Sequence, residues 1–176
     1  MVNITVTSPD QVKLADDLIV IGLAEDESIS NSFDKDSKLS YILKQIDSFG
    51  QERLKSIKKY GKNMTLGIRL DDSPTMILLI GLGELIKLNS DRVRHIGGLI
   101  SLRCKELNFE RINILKFFSE SGLIEPFIEG LVLAQYEFNN FKEKGPENMQ
   151  NLSFFDKCTI NIIADESDME VVERKI

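Results

Sequence analysis

The chain has 176 residues, of which 42% are hydrophobic and 28% charged, and these values are ordinary for a single globular domain. Its formal net charge of −6 argues against a nucleic-acid-binding role, because phosphate binding favours a positive protein face. No apolar run approaches the length of about 20 residues that a membrane span needs. The N-terminal sequence MVNITVTSPDQVK lacks the basic and apolar regions of a signal peptide, which predicts a cytoplasmic location.

The first third of the chain alternates between strand and helix patterns. The run NITVTS (3–8) alternates apolar and polar residues, which predicts a half-buried strand, and DLIVIGLA (17–24) is a continuous apolar run typical of a strand covered on both faces. Apolar residues then recur at helical spacing in SKLSYILKQIDSFG, where Gly50 ends the predicted helix. The next segment, with Leu54, Ile57 and Tyr60, is ambiguous and compatible with a continued helix. NMTLGIRL (63–70) returns to a strand pattern.

The remainder of the chain continues the alternation. PTMILLIGLGE (74–84) predicts a buried strand, and a helix follows with Asn89 or Ser90 as its N-cap and with Gly97–Gly98 allowing close packing. We predict four later elements, in the order strand, helix, strand, helix: RINILKFF (111–118), Leu123–Phe138, CTINIIAD (158–165) and ESDMEVVERKI (166–176). This order predicts a single α/β domain over residues 1–176 with helices on both faces of a sheet.

Few residues suggest a reaction centre. His95, the single histidine, has no partner motif, so a partly exposed helix residue is favoured over a catalytic one. Carboxylate pairs at Asp34/Asp36, Asp71–Asp72 and Asp165–Glu166 fall in loops, where turn chemistry and solvation explain them without a metal. No nucleophile elbow, Walker loop, HExxH or EF-hand pattern is present. We therefore assign no catalytic, cofactor-binding or metal-binding residue.

The run GLGELI (81–86) is a candidate phosphate-binding loop, because glycines between a buried strand and a helix can bring backbone amides up to an anion. The third glycine of G-x-G-x-x-G is replaced by Ile86, and Glu84 adds a negative charge. A tight exit from the strand is the better interpretation.

Two other features have ordinary explanations. Cys104 falls in a helix pattern and Cys158 in a strand pattern, without the spacing of a zinc site, so both are predicted to be small core residues. The basic run RLKSIKKYGK (53–62) is a possible contact site, although a solvated helix face is favoured.

Several motifs together resemble the N-terminal domain of the M17 leucyl aminopeptidases, the cytosol aminopeptidase family. In that family a strand ending in Gly-Leu-Gly precedes a long helix, and a later helix carries Glu-Gly-Leu and ends in Tyr-x-Phe-x-x-Tyr/Phe-Lys. The corresponding positions here are Gly81-Leu82-Gly83, Glu129-Gly130-Leu131, and Tyr136, Phe138, Phe141 and Lys142. The order and spacing of the elements agree over nearly the whole chain, from NITVTS to ERKI.

The resemblance implies a macro-domain-like fold, with three αβα layers and a mixed sheet. It also implies cytoplasmic hexamers and a C-terminal catalytic domain, which is the domain's main partner and binds two divalent metal ions, Mn or Zn, for peptide hydrolysis. The family's metal-binding run Asn-Thr-Asp-Ala-Glu-Gly-Arg does not occur in these residues. We therefore expect this chain to be a fragment without the catalytic domain and without metal or cofactor of its own, whose role is assembly or regulation.

The run EGLVLAQYEFNNFKEK (129–144) is the most distinctive in the sequence. We expect Leu131, Leu133 and Ala134 to pack a helix on the sheet, and Gly130 to allow close helix–sheet contact. The aromatic residues that follow, Tyr136, Phe138 and Phe141, would fill the end of that core.

An alternative function from a different class is a stand-alone module that uses the macro-like fold to bind ADP-ribose or a related nucleotide. Its motivation is the fold resemblance together with Gly81 and Gly83. Calorimetry with ADP-ribose would distinguish this module from an accessory domain of a peptidase.

Overall fold

A computed structural model describes residues 3–7, 17–26, 38–48, 50–70, 73–115, 121–134 and 157–163. Within these ranges six strands form one sheet. Their bounds are β1 Asn3–Thr7, β2 Leu18–Ala24, β3 Asn63–Leu70, β4 Ser73–Gly83, β5 Arg111–Leu115 and β6 Thr159–Ile163. The helices in the described part of the chain are α1 Lys38–Asp47, α2 Gln51–Lys58, α3 Ser90–Leu107 and α4 Ile124–Leu133.

Local sequence sets the ends of the longest helix, α3. The Asn89 side chain accepts a hydrogen bond from the backbone N–H of Arg92 at 2.9 Å, which satisfies one of the free amides of the first turn. At the other end Asn108 adopts a left-handed conformation with φ 56, which asparagine tolerates better than most residues. The prediction of Asn89 or Ser90 as N-cap is resolved in favour of Asn89.

The sheet has the order β1-β6-β5-β2-β4-β3. All neighbouring pairs are parallel except β3 with β4, which are antiparallel. The chain moves to one side from β2 to β4 by way of α1 and α2, and to the other side from β4 to β5 and β6 by way of α3 and α4. Buried residues of α1 and α2 pack in one hydrophobic core and those of α3 and α4 in the other, so the two helix pairs lie on opposite faces of the sheet.

Two hydrophobic cores lie on the two faces of the sheet. Successive residues of β2 alternate between them, with Leu18 and Val20 in the core under α3 and α4, and Ile19 and Ile21 in the core under α1 and α2. All four side chains are 4% exposed or less. The prediction that this strand is covered on both faces is therefore confirmed, and so is the three-layer α/β arrangement.

A row of polar side chains on the α1/α2 side of the sheet crosses β1, β6 and β5 and ends at Asp17, immediately before β2. Thr5 donates to Asn161 at 2.5 Å, Asn161 donates to Asn113 at 2.9 Å, and Asn113 donates to Asp17 at 3.1 Å. Nε of Arg111 lies 2.8 Å from the second carboxylate oxygen of Asp17, which is an ionic contact rather than an aligned hydrogen bond. Because buried polar groups need partners, this row favours one lateral alignment of β1, β6, β5 and β2.

Helices α3 and α4 approach each other through glycine. A Cβ on Gly130 would lie 1.9 Å from the carbonyl oxygen of Arg94, and a Cβ on Gly97 would lie 2.4 Å from that of Phe127. Ser101 adds a buried hydrogen bond of 2.8 Å to the carbonyl of Leu131. The prediction of close packing at Gly97–Gly98 is confirmed.

Three expectations for α4 were wrong. Gly130 makes its close contact with helix α3 and not with the sheet. Leu131 is fully buried as expected, but Leu133 is 63% exposed because it lies on the opposite side of the helix from Leu131. The helix also ends at Leu133, earlier than the predicted Phe138, with Ala134 as its C-cap and later residues outside the described range.

Most predicted elements agree with the described ones. The ambiguous segment around Leu54 and Ile57 is a separate helix, α2, which begins after Gly50 with its φ of 92. The predicted C-terminal helix at 166–176 and the last three residues of the predicted strand at 111–118 lie outside the described residues.

We predict that Gly130→Ala lowers the free energy of unfolding by about 1–3 kcal/mol, because the added methyl group forces two helix backbones apart. Gly98→Ala is the matched control. Its Cβ would meet Ala134 at an ordinary 3.7 Å, so the higher helix propensity of alanine should leave stability unchanged or raise it by up to about 1 kcal/mol. Urea unfolding followed by circular dichroism measures both, and equal stability of Gly130→Ala and wild type would refute the close contact.

Candidate functional site

The carboxyl ends of β2 and β4 lie where α/β sheets commonly bind ligands. The chain leaves these two neighbouring parallel strands toward opposite faces of the sheet. In open α/β sheets, such a switch point creates the crevice in which ligands bind. The glycine run 81–83 ends β4 at this point.

The glycines at the end of β4 serve internal packing. A Cβ on Gly81 would lie 2.1 Å from the carbonyl oxygens of both Ile57 and Lys59, so the backbone after α2 fills the space beside this strand. Gly81 also donates to the carbonyl of Lys62 at 2.7 Å. Gly83 has a φ of 72, and its Cβ position lies 3.1 Å from Cβ of Tyr60. The two glycines therefore make the tight strand exit that the sequence favours over a phosphate loop.

The carboxylate of Asp26 accepts a hydrogen bond from the backbone amide of Leu85, two residues after Gly83. Both side-chain oxygens of Asp26 lie 3.2 Å from the N–H of Leu85, and the N–H of Glu25 donates to the carbonyl of Gly83 at 2.9 Å. Glu84 adds a third acidic residue, which pairs with Lys87 at 2.6 Å. An anionic ligand would have to displace Asp26 and meet two other carboxylates here.

Sequence reasoning missed Asp26. The only sequence signal for Asp26 is that it follows β2. Because β2 pairs in parallel with β4, the carboxyl ends of both strands lie at the same edge of the sheet, which brings Asp26 near the glycines.

His95 joins a small aromatic and basic cluster beside this edge. Its Nδ1 lies 2.9 Å from the hydroxyl of Tyr60, and the guanidinium of Arg92 lies 4.7 Å from the centre of the Tyr60 ring. Burial raises the pKa of Tyr60 and the charge of Arg92 opposes that shift, so the phenol stays protonated at neutral pH. His95 itself is exposed on α3, as predicted, and its phenol partner is neither a nucleophile at neutral pH nor a carboxylate.

The basic run 53–62 covers α2 and the loop that leads to β3. Arg53, Lys55, Lys59 and Lys62 are all exposed, while Leu54 and Ile57 between them are buried in the core. This pattern is that of an amphipathic helix with a solvated basic face, the interpretation favoured from the sequence.

In the described ranges, no group of three or more His, Cys, Asp or Glu side chains is placed to hold a metal ion together. The carboxylate pairs at Asp34/Asp36, Asp71–Asp72 and Asp165–Glu166 lie outside those ranges. The aromatic residues Tyr136, Phe138 and Phe141 do too, so their expected role at the end of the core stays a prediction.

Both cysteines are buried and free, as predicted. Burial raises the pKa of the Cys104 thiol strongly, with a smaller contribution from Cys158. Burial, with a smaller contribution from Glu110, raises the pKa of Cys158 to about 11. Both side chains are therefore neutral thiols at physiological pH, which suits packing and not nucleophilic catalysis.

Among the described helices, none combines the length and the sustained apolar character of a transmembrane segment.

Comparison with known proteins identifies one family. Residues 33–145 match the model of the cytosol aminopeptidase family, N-terminal domain. The chain is 26% identical over 144 residues to a probable cytosol aminopeptidase of Roseiflexus castenholzii, an alignment that covers 80% of this chain and 27% of the relative. It is 25% identical over 121 residues to a probable cytosol aminopeptidase of Clostridium perfringens, covering 66% of this chain and 24% of that protein. The chain thus spans about a quarter of the length of these relatives.

The fold is similar to that of a solved tomato leucine aminopeptidase mutant, with a TM-score of 0.62 and 18% sequence identity. The superposition covers 100% of this chain and 35% of the tomato enzyme chain.

We predict that a thiol reagent such as dithionitrobenzoate leaves both cysteines unmodified in the native protein at neutral pH and modifies both after denaturation. The physical reason is that the reactive species is an accessible thiolate, and burial disfavours both access and ionisation. The absorbance of released nitrothiobenzoate measures the reaction. Rapid native labelling of either cysteine would show that the α3–β6 side of the core is open.

Proposed function

The chain belongs to the cytosol aminopeptidase family, whose N-terminal domain it matches, and on this basis we propose that it is the noncatalytic domain of a longer peptidase. The full-length protein would remove N-terminal amino acids from peptides in the cytoplasm. The observation that carries the proposal is the family match over residues 33–145, supported by curated relatives that are about four times as long as the matched region.

We assign the hydrolytic step to a C-terminal catalytic domain of the same protein. Hydrolysis of this class uses two divalent ions, Mn²⁺ or Zn²⁺, that activate water and polarise the scissile carbonyl. The side chains described here do not fit such a centre, because no three potential ligands converge. We therefore give no catalytic role to any residue in the part of the chain that the structure describes, and we propose that residues 1–176 form one accessory domain.

The role of the accessory domain is assembly or regulation of the full-length enzyme, which we propose to be a homo-oligomer, a hexamer. Two structural features are consistent with such a role. The crevice at the ends of β2 and β4 is filled by internal contacts of Gly81, Gly83 and Asp26, and the surface carries exposed apolar side chains such as Ile86, at 88% exposure. Exposed apolar surface of this kind is common at sites of contact with partners.

Binding of ADP-ribose by a stand-alone module is the second candidate. Its support is the macro-like fold and the glycines at the end of β4, and fold alone is a weak warrant for function. The contact of Asp26 with the amide of Leu85 weighs against it, because a pyrophosphate would need that amide and would be repelled by the carboxylate.

An activity assay tests the first proposal. We expect the 176-residue chain to show no turnover of leucine p-nitroanilide with Mn²⁺, whereas the full-length protein shows turnover that a chelator abolishes. Titration calorimetry of the same chain with ADP-ribose should show no heat of binding. Chelator-sensitive turnover by the chain alone would refute a noncatalytic domain, and saturable ADP-ribose binding would favour the second candidate.

A further inference from the structure

Strand β3 forms one edge of the sheet in the part of the chain that the structure describes. It has eight residues, Asn63–Leu70, while β1 at the other edge has five. An edge strand presents every second N–H and C=O to its open side, and proteins commonly protect such edges with lysine, proline, bulges or short length. The β3 sequence NMTLGIRL contains neither lysine nor proline, and its pairing with β4 is continuous from Asn63 to Leu70.

The two faces of β3 differ in character. Met64, Leu66 and Ile68 are half-buried and pack against the core under α1 and α2. Thr65 and Gly67 lie on the opposite face, where Gly67 is exposed. The apolar row of β3 is therefore only partly covered by its own chain.

This pattern is self-complementary about Leu66. In an antiparallel pairing of two β3 strands centred on this residue, Leu66 lies opposite its own copy and Met64 lies opposite Ile68. Thr65 then lies opposite Gly67 on the other face. Directly opposed residues share a face of the sheet, so the apolar row continues across the junction and no acidic residue or like-charged pair is opposed.

We propose that the β3 edge is a two-fold interface with a second copy of this chain, paired antiparallel about Leu66. The contact joins the two six-stranded sheets into one continuous sheet and satisfies the outward backbone groups of both edges. Such an interface is isologous, since the same residues contribute from both subunits, and it closes at a dimer without leaving a β3 edge for further addition.

The interface does not depend on the proposed peptidase role. A dimer could form in an accessory domain or in a stand-alone module, and failure of the activity assay would leave the β3 contact untouched.

Cysteine cross-linking tests both the contact and its register. In the proposed pairing the two Leu66 side chains face each other with Cβ atoms about 4.5–5.5 Å apart, which is close to disulfide geometry. Leu66→Cys should therefore give a covalent dimer under mild oxidation, on gel electrophoresis without reductant. Met64→Cys is the matched control on the same strand and face, because the two copies of residue 64 are offset by four residues, about 14 Å. The native cysteines are buried and add little background.

Light scattering after size exclusion completes the test. We expect the wild-type chain to be a dimer and Thr65→Lys, which places a charge at the junction, to be a folded monomer by circular dichroism. Leu102→Lys carries the same charge change at an exposed position of helix α3 and should remain dimeric. A monomeric wild-type chain, a dimer unaffected by Thr65→Lys, or equal cross-linking at positions 64 and 66 would each overturn the proposal.

Discussion

Direct contact between backbones, made possible by glycine, sets how closely the helices of this domain pack against each other and against β4. On one face of the sheet, the absence of a side chain at Gly81 lets the chain after α2 cross within hydrogen-bonding distance of β4. On the other face, Gly97 and Gly130 let α3 and α4 meet so closely that a methyl group at either glycine would overlap a carbonyl oxygen. Protein interiors are close-packed, so such contacts cannot be replaced by small shifts of neighbouring side chains. The spacing of α3 and α4, and the point at which the chain after α2 meets β4, depend on these glycines.

The internal contacts of the glycines also limit the space for a ligand at the ends of β2 and β4. Gly81, Gly83 and Asp26 fill with internal contacts the crevice where many α/β proteins bind ligands, and His95 is paired with a protonated phenol. The polar side chains on the α1/α2 side, from Thr5 to Asp17, are hydrogen-bonded to one another across the strands and so favour one sheet alignment.

Much of the fold could be predicted from the sequence, because β2, β4 and α3 have patterns that admit one reading: continuous apolar runs bounded by glycine, and a capped helical stripe. Contacts between elements were harder to predict from the sequence. The partner of Gly130 proved to be α3 and not the sheet, since a helical glycine reveals a close approach but not what approaches. The INI pattern shared by β5 and β6 places two asparagines side by side, but the link of this polar row to Asp17 depends on the strand order, which the pattern does not reveal. The closed crevice could not be predicted, because Asp26 meets Leu85 only after folding.

The most direct test of a folded domain without an active centre is native mass spectrometry of the 176-residue chain after incubation with Mn²⁺ or Zn²⁺ and removal of excess metal. A noncatalytic domain predicts a mass equal to that of the folded polypeptide, with no stoichiometric metal retained. Specific retention of two divalent ions per chain would contradict this and place a dinuclear centre within these residues.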